Sequence, residues 1–83
     1  MTRQEFAEAL YLYSTHFNAS VTSYGRTLKR NTSVGGHPHS KHMTWLGADV
    51  IYDVKPTLSE RRAKAKELAI RLVPEPDHDH LQA

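Results

Sequence analysis

Side chains able to hold a metal ion or move a proton are concentrated in two short stretches of this chain. The first, "HPHSKHMTWLGADVIYD", carries His37, His39, His42 and Asp49; the second, "EPDHDH", carries Glu75, Asp77, His78, Asp79 and His80. The chain contains no cysteine, so any metal would be held by nitrogen and oxygen, and neither a thiolate site nor a disulfide framework is available. His42 and Asp49 are separated by a loop that contains Gly47, and a loop turning into a strand can bring such a pair to one point. In an extended tail His78 and His80 share one face, with Asp77 and Asp79 on the other. A catalytic zinc takes three protein ligands and leaves its fourth position to water, an arrangement that His42, Asp49 and one tail histidine would provide. Water on such an ion has a pKa of about 7. A nearby carboxylate, Asp77 or Glu75, could take its proton during attack on a polarised carbonyl, and Arg26 could stabilise the negative charge that develops on the carbonyl oxygen.

These residues need elements to position them. Thr2 and Glu5 have capping-box spacing, and Phe6, Leu10, Tyr13 and Phe17 recur at helical intervals, so residues 3 to 17 are expected to form an amphipathic helix with this aromatic stripe in the core. His16 at the end of that helix suits the macrodipole. "ASVTSYG" is β-branched and alternating, as a strand ending at Gly25 would be, and "RTLKRNTSVGG" reads as a loop. "GADVIYDV" reads as a second strand closed by Pro56. Thr57 and Glu60 form another capping-box pair, and Leu58, Ala65, Leu68, Ala69 and Leu72 define the apolar stripe of a helix expected to end before Pro74. The remaining tail should return as an extended segment. The order is helix, strand, loop, strand, helix, strand, which predicts a single α+β domain over residues 1–83 with a small antiparallel sheet and flanking helices.

The stretch "VTSYGRTLKRNTSVGGHPHSKHMTWLGADV" resembles the zinc D-Ala-D-Ala carboxypeptidases and L-alanyl-D-glutamate endopeptidases that act on peptidoglycan. Their pattern is Ser-x-x-Arg after a strand, then Ser-x-His-x6-Asp; the matching residues are Ser23, Arg26, Ser40, His42 and Asp49, with Gly47 and Ala48 before the aspartate. A second motif, an acidic residue three positions before a histidine, is similar to Asp77 and His80 within "DHDHLQ". The resemblance implies a fold like that of the D-Ala-D-Ala carboxypeptidases and hedgehog domains, with a Zn2+ site at the sheet. It implies His42, Asp49 and His80 as metal ligands, Asp77 as the base that then protonates the leaving amine, Arg26 as transition-state stabiliser, and Ser40 as a group orienting the first ligand or the substrate. Glu75 and His78 repeat the Asp77–His80 spacing and form the second choice of base and ligand. Members of the family are usually longer, and "SYGR" places its aromatic before the glycine where the usual order is the reverse.

Composition sets the remaining expectations. The formal charge of +2 is mild, and Glu60 and Glu67 interleave with Arg61, Arg62, Lys64, Lys66 and Arg71, so these cations are expected to form a solvated helix face, with no nucleic-acid partner. Charges at Arg3, Glu5 and Glu8 leave no signal-peptide core, and no apolar run is long enough to span a membrane. The expected setting is cytoplasmic synthesis, with a peptidoglycan peptide as substrate and either release to the wall by a holin or carriage on a phage particle, or equally a cytoplasmic role on precursors or recycled muropeptides. The rival expectation is a non-catalytic phage structural or assembly protein that keeps the fold and the metal. His37 and His39 match no ligand position and are read as exposed loop or cleft lining; Trp45 is read as packing beside the loop, with cleft lining as the second reading.

Overall fold

A computed structural model describes residues 1–25 and 45–83 of the chain. The loop expected at 26–36 lies outside the described residues, as do His37 and His39. Helix α1 spans Arg3–Phe17, strand β1 Ala19–Tyr24, strand β2 Gly47–Tyr52, helix α2 Leu58–Glu67, strand β3 Arg71–Pro74 and strand β4 Asp79–Gln82. The strands form one sheet in the order β1-β2-β4-β3, and every neighbouring pair is antiparallel. This is the α+β architecture with an antiparallel sheet and two helices expected from the sequence. Among the described residues no helix is long and apolar enough to cross a membrane.

Helix α1 starts where its capping box places it. Glu5 N donates to Thr2 Oγ1 at 3.1 Å and Thr2 N donates to Glu5 Oε1 at 2.8 Å, so two otherwise orphaned donors are satisfied reciprocally. Asn18 ends the helix in the left-handed region at φ 55°, and β1 follows at once. Phe6, Ala9, Leu10 and Tyr13 are buried and face Ala48 and Val50 of β2, Ala65 of α2, Ile70 and Leu72, and Leu81 of β4 in one core. Phe17 packs at its margin, its ring 4.9 Å from that of Tyr13.

Helix α2 departs from expectation at its end. The apolar stripe read as helical through Leu72 is divided between two elements, because the helix stops at Glu67. Ala69 takes φ 59°, Ala69 N donates to Lys66 O at 3.1 Å and Ile70 N donates to Ala65 O at 3.0 Å. These are the two bonds of a Schellman motif, with Ala65 and Ile70 as the buried apolar pair that accompanies it. No glycine marks the position, so the sequence lacks the usual stop signal. The left-handed alanine costs about 1–2 kcal/mol, and burial of Ile70 and Leu72 beyond the turn offsets it. Leu58, the first residue of the stripe, is exposed. At the other end only the forward half of the expected box is made, Glu60 N donating to Thr57 Oγ1 at 3.1 Å.

A second departure concerns the cations of α2. Arg61 was expected on the solvated face but is buried, with Nη1 2.6 Å from Oδ2 of Asp79, a residue with 0 % exposure. Arg61 Nε donates to the Pro56 carbonyl at 3.0 Å, and the guanidinium lies 5.9 Å from the centroid of the Tyr52 ring. Tyr52 donates its hydroxyl to the same Asp79 Oδ2 at 2.7 Å. Its single proton is thereby committed, so the 2.6 Å contact between the Tyr13 and Tyr52 hydroxyls has Tyr13 as donor. Burial raises the pKa of both phenols, and for Tyr52 the bond it donates to Asp79 raises it further. The network joins α1, β2, α2 and β4.

Two stability changes follow. Arg61→Ala leaves the Asp79 carboxylate buried without its cation and should destabilise the protein by about 3–5 kcal/mol in urea denaturation, whereas Arg61→Met with Asp79→Leu should recover part of that loss because no charge is left buried. Ala69→Gly relieves the left-handed strain and should raise stability by up to about 1 kcal/mol in the same assay.

Candidate functional site

Arg26, Ser40 and His42 lie outside the described residues. The remaining candidates converge on β2, β4 and the turn that precedes β4. In β2 the residues Ala48 and Val50 point into the core, so the period of two turns Asp49 to the opposite face. In β4 Asp79 and Leu81 are buried, which turns His80 and Gln82 to that same opposite face. Strand pairing then sets Asp49 directly across from His80, with Ser23 of β1 opposite Asp49 on one side and Val73 of β3 opposite His80 on the other. A bulge between Val21 and Ser23 interrupts β1 beside Asp49, where Thr22 Oγ1 donates to the Asp49 carbonyl at 3.4 Å.

The two motif halves therefore meet. His80 Nδ1 lies 3.0 Å from Asp49 Oδ1. His78 Nε2 lies 3.8 Å from that same oxygen, and all three side chains are partly exposed. Nδ1 of His78 lies 2.7 Å from Asp77 Oδ1; a carboxylate can only accept, so the ring donates. Asp77 itself is exposed, in the turn between β3 and β4 that the bond from Glu75 N to His78 O closes at 2.9 Å. Of the expected set, Asp49, His80 and His78 are gathered around one carboxylate oxygen, Asp77 is linked to them through His78, and Glu75 is tied to His78 through the backbone.

The bond with Asp77 raises the pKa of His78 above that of an ordinary imidazole, with Asp49 adding to the effect and burial opposing it. The same bond holds the Asp77 carboxyl below the usual carboxylate range. His80 is placed differently. Its Nε2 lies 3.0 Å from Gln82 Oε1, so both ring nitrogens face oxygen acceptors. A neutral imidazole carries one proton and can satisfy only one of them. With that proton on Nε2, the Nδ1 lone pair faces the Asp49 carboxylate, and a cation between them would be held by both. An imidazole nitrogen beside a carboxylate oxygen is the donor chemistry of a zinc ion bound without sulfur, so the two described members of the expected ligand set fit that metal. Among the described residues no three histidine, aspartate or glutamate side chains form a group that could hold a metal ion, and His42, the remaining expected ligand, lies outside them.

Sequence reasoning missed two features of this site. Asp79 was read only as a member of the tail cluster, yet it shares parity with apolar Leu81, a signal that its face is the core face. Gln82 was not singled out, although it shares parity with His80 and is long enough to reach it. Trp45 packs against Tyr24, while the residue as a whole stays exposed. Its ring lies 5.1 Å from that of Tyr24 at an interplanar angle of 83° and fills the space where a Cβ on Gly25 would stand, at a position with φ 62°.

No protein-family model, no curated protein and no solved structure matches this chain.

The Asp77–His78 bond gives a test by pH. Because Asp77 stabilises the protonated ring, the His78 titration midpoint, followed by ring-proton NMR, should lie above the ordinary imidazole value in the wild type. It should fall toward that value in Asp77→Asn.

Proposed function

We propose that this chain is a zinc-dependent peptidase that hydrolyses peptidoglycan stem peptides, as a D-Ala-D-Ala carboxypeptidase or an L-Ala-D-Glu endopeptidase. The observation that carries this reading is the Asp49–His80 contact: two halves of one motif, far apart in sequence, are cross-strand partners with ligating atoms 3.0 Å apart. His42, Asp49 and His80 would hold the metal, with His78 the alternative imidazole beside Asp49. When bound, zinc supplies a Lewis acid that polarises a carbonyl and acidifies water.

The other roles belong to the chain's own side chains. The bond to His78 favours the charged form of Asp77, and a base must be unprotonated before it can accept a proton. It takes the proton of the attacking water and returns it to the leaving amine. Its exposed position at the turn leaves it accessible to a substrate lying over the Asp49–His80 face. Arg26 stabilises the negative charge that develops on the carbonyl oxygen, and Ser40 orients the first ligand or the substrate.

The test is zinc content together with mass spectrometry of muropeptides after incubation with the wild type, Asp77→Ala and Asp49→Ala. About one zinc per chain is expected in the wild type and in Asp77→Ala, with a marked loss in Asp49→Ala. New fragments should come from the wild type, at a rate about 10²–10⁴ times that of Asp77→Ala, and their masses name the bond cut. Zinc bound without cleavage by the wild type would favour a non-catalytic phage structural or assembly protein. Absence of zinc from the wild type would sink the metallopeptidase reading.

A further inference from the structure

We infer that Gln82 is a positioning residue for His80: it accepts the Nε2 proton and so presents the Nδ1 lone pair toward Asp49 as the metal-binding nitrogen. The inference rests on the reading above for the metal and on geometry for the residue. His80 and Gln82 are two apart on β4, on the same face, a separation of about 7 Å between Cα atoms in a strand. A glutamine can fold back over that distance, and its Oε1 stands 3.0 Å from Nε2. The residue opposite Gln82 on β2 is Gly47, which has no side chain to compete for the space. Arg71 is its partner on β3.

The choice of nitrogen follows from the two acceptors. The side-chain oxygens of Asp49 and Gln82 stand as acceptors at the two ring nitrogens, and a neutral ring has one proton to give. With that proton on Nε2 and bonded to Gln82, the lone pair on Nδ1 points to the carboxylate oxygen 3.0 Å away, where a single cation can be shared by both groups. Without the glutamine, the charge-assisted bond to Asp49 would draw the proton to Nδ1 and leave the ring in the tautomer that cannot bind metal there. A ligand histidine generally has its other nitrogen fixed in this way by an oxygen acceptor.

The experiment compares zinc affinity, by competition with a chromogenic chelator, and the ring ¹⁵N spectrum of His80 in the wild type, Gln82→Ala, Gln82→Asn and Gln82→Glu. Gln82→Ala should weaken zinc binding about 10–100-fold. Gln82→Asn, one methylene short of the ring, should lose as much, and Gln82→Glu, which keeps the acceptor and the reach, should restore binding. In the zinc-loaded wild type the proton should be on Nε2 and the metal on Nδ1. Unchanged affinity in Gln82→Ala, or metal on Nε2, would overturn the inference. If the wild type binds no zinc, the metallopeptidase reading fails by itself, and the metal-free protein still decides the contact. In acid, where the ring carries both protons, the Nε2 proton should show a nuclear Overhauser effect to the Gln82 side chain, and absence of that effect would reject the contact.

Discussion

The pairing of Arg61 with Asp79 is the interaction on which the rest of the arrangement depends. A carboxylate with no solvent exposure is tolerated only when its charge is met, and here the guanidinium of α2 and the hydroxyl of Tyr52 meet it on one oxygen. Each partner comes from a different element. Arg61 is further tied to the Pro56 carbonyl at the start of its helix, and Tyr52 receives the hydroxyl proton of Tyr13 from α1. The first residue of β4 is thereby fixed against both helices and against β2. A four-residue strand has few ladder bonds of its own, and a buried ion pair at its first position defines where pairing begins.

That anchoring matters because β4 serves two faces at once. Asp79 and Leu81 face the core, and His80 and Gln82 face the candidate site. A slip of one residue would exchange the two sets, placing an imidazole and an amide in the core and exposing a leucine and an unmet carboxylate. Both errors are costly, so the core specifies the position of His80 as firmly as any contact on the site's own face. Asp49 is held by the same logic in β2, between buried Ala48 and Val50. The 3.0 Å contact between His80 and Asp49 is thus a consequence of packing on the other side of the sheet.

The end of α2 shows how a tertiary gain can override a local preference. Alanine is a strong helix former, and nothing in "ELAIRLVPEP" before its prolines tells a helix to stop. Continuing the helix would leave β4 without its outer neighbour. Stopping it at Glu67 allows Ile70, just before β3, and Leu72 within it to enter the core, and Arg71–Pro74 to pair along the whole of β4. One left-handed alanine is a small cost against two buried aliphatic side chains and a strand's hydrogen bonds.

The sequence by itself determined what is local. The capping box of Thr2 and Glu5, the aromatic stripe of α1, the alternation of "ASVTSYG", the compact and β-branched residues of "GADVIY" and the extended tail follow from steric preference and from the periods of helix and strand, which any short window displays. It also determined which side chains could ligate a metal, because residue type and spacing are enough for that. The tertiary structure alone decided how those pieces meet. His78 and His80 have the same parity, so no local pattern distinguishes them; the register between β2 and β4 sets His80 across from Asp49 and leaves His78 at the edge, held by Asp77. Arg61 and Asp79 are two charged residues in charged neighbourhoods, and nothing near either one marks it as buried except the parity of Asp79 with Leu81. Their burial, like the pairing register, depends on contacts between residues far apart in the chain, and these exist only once the sheet and both helices have come together.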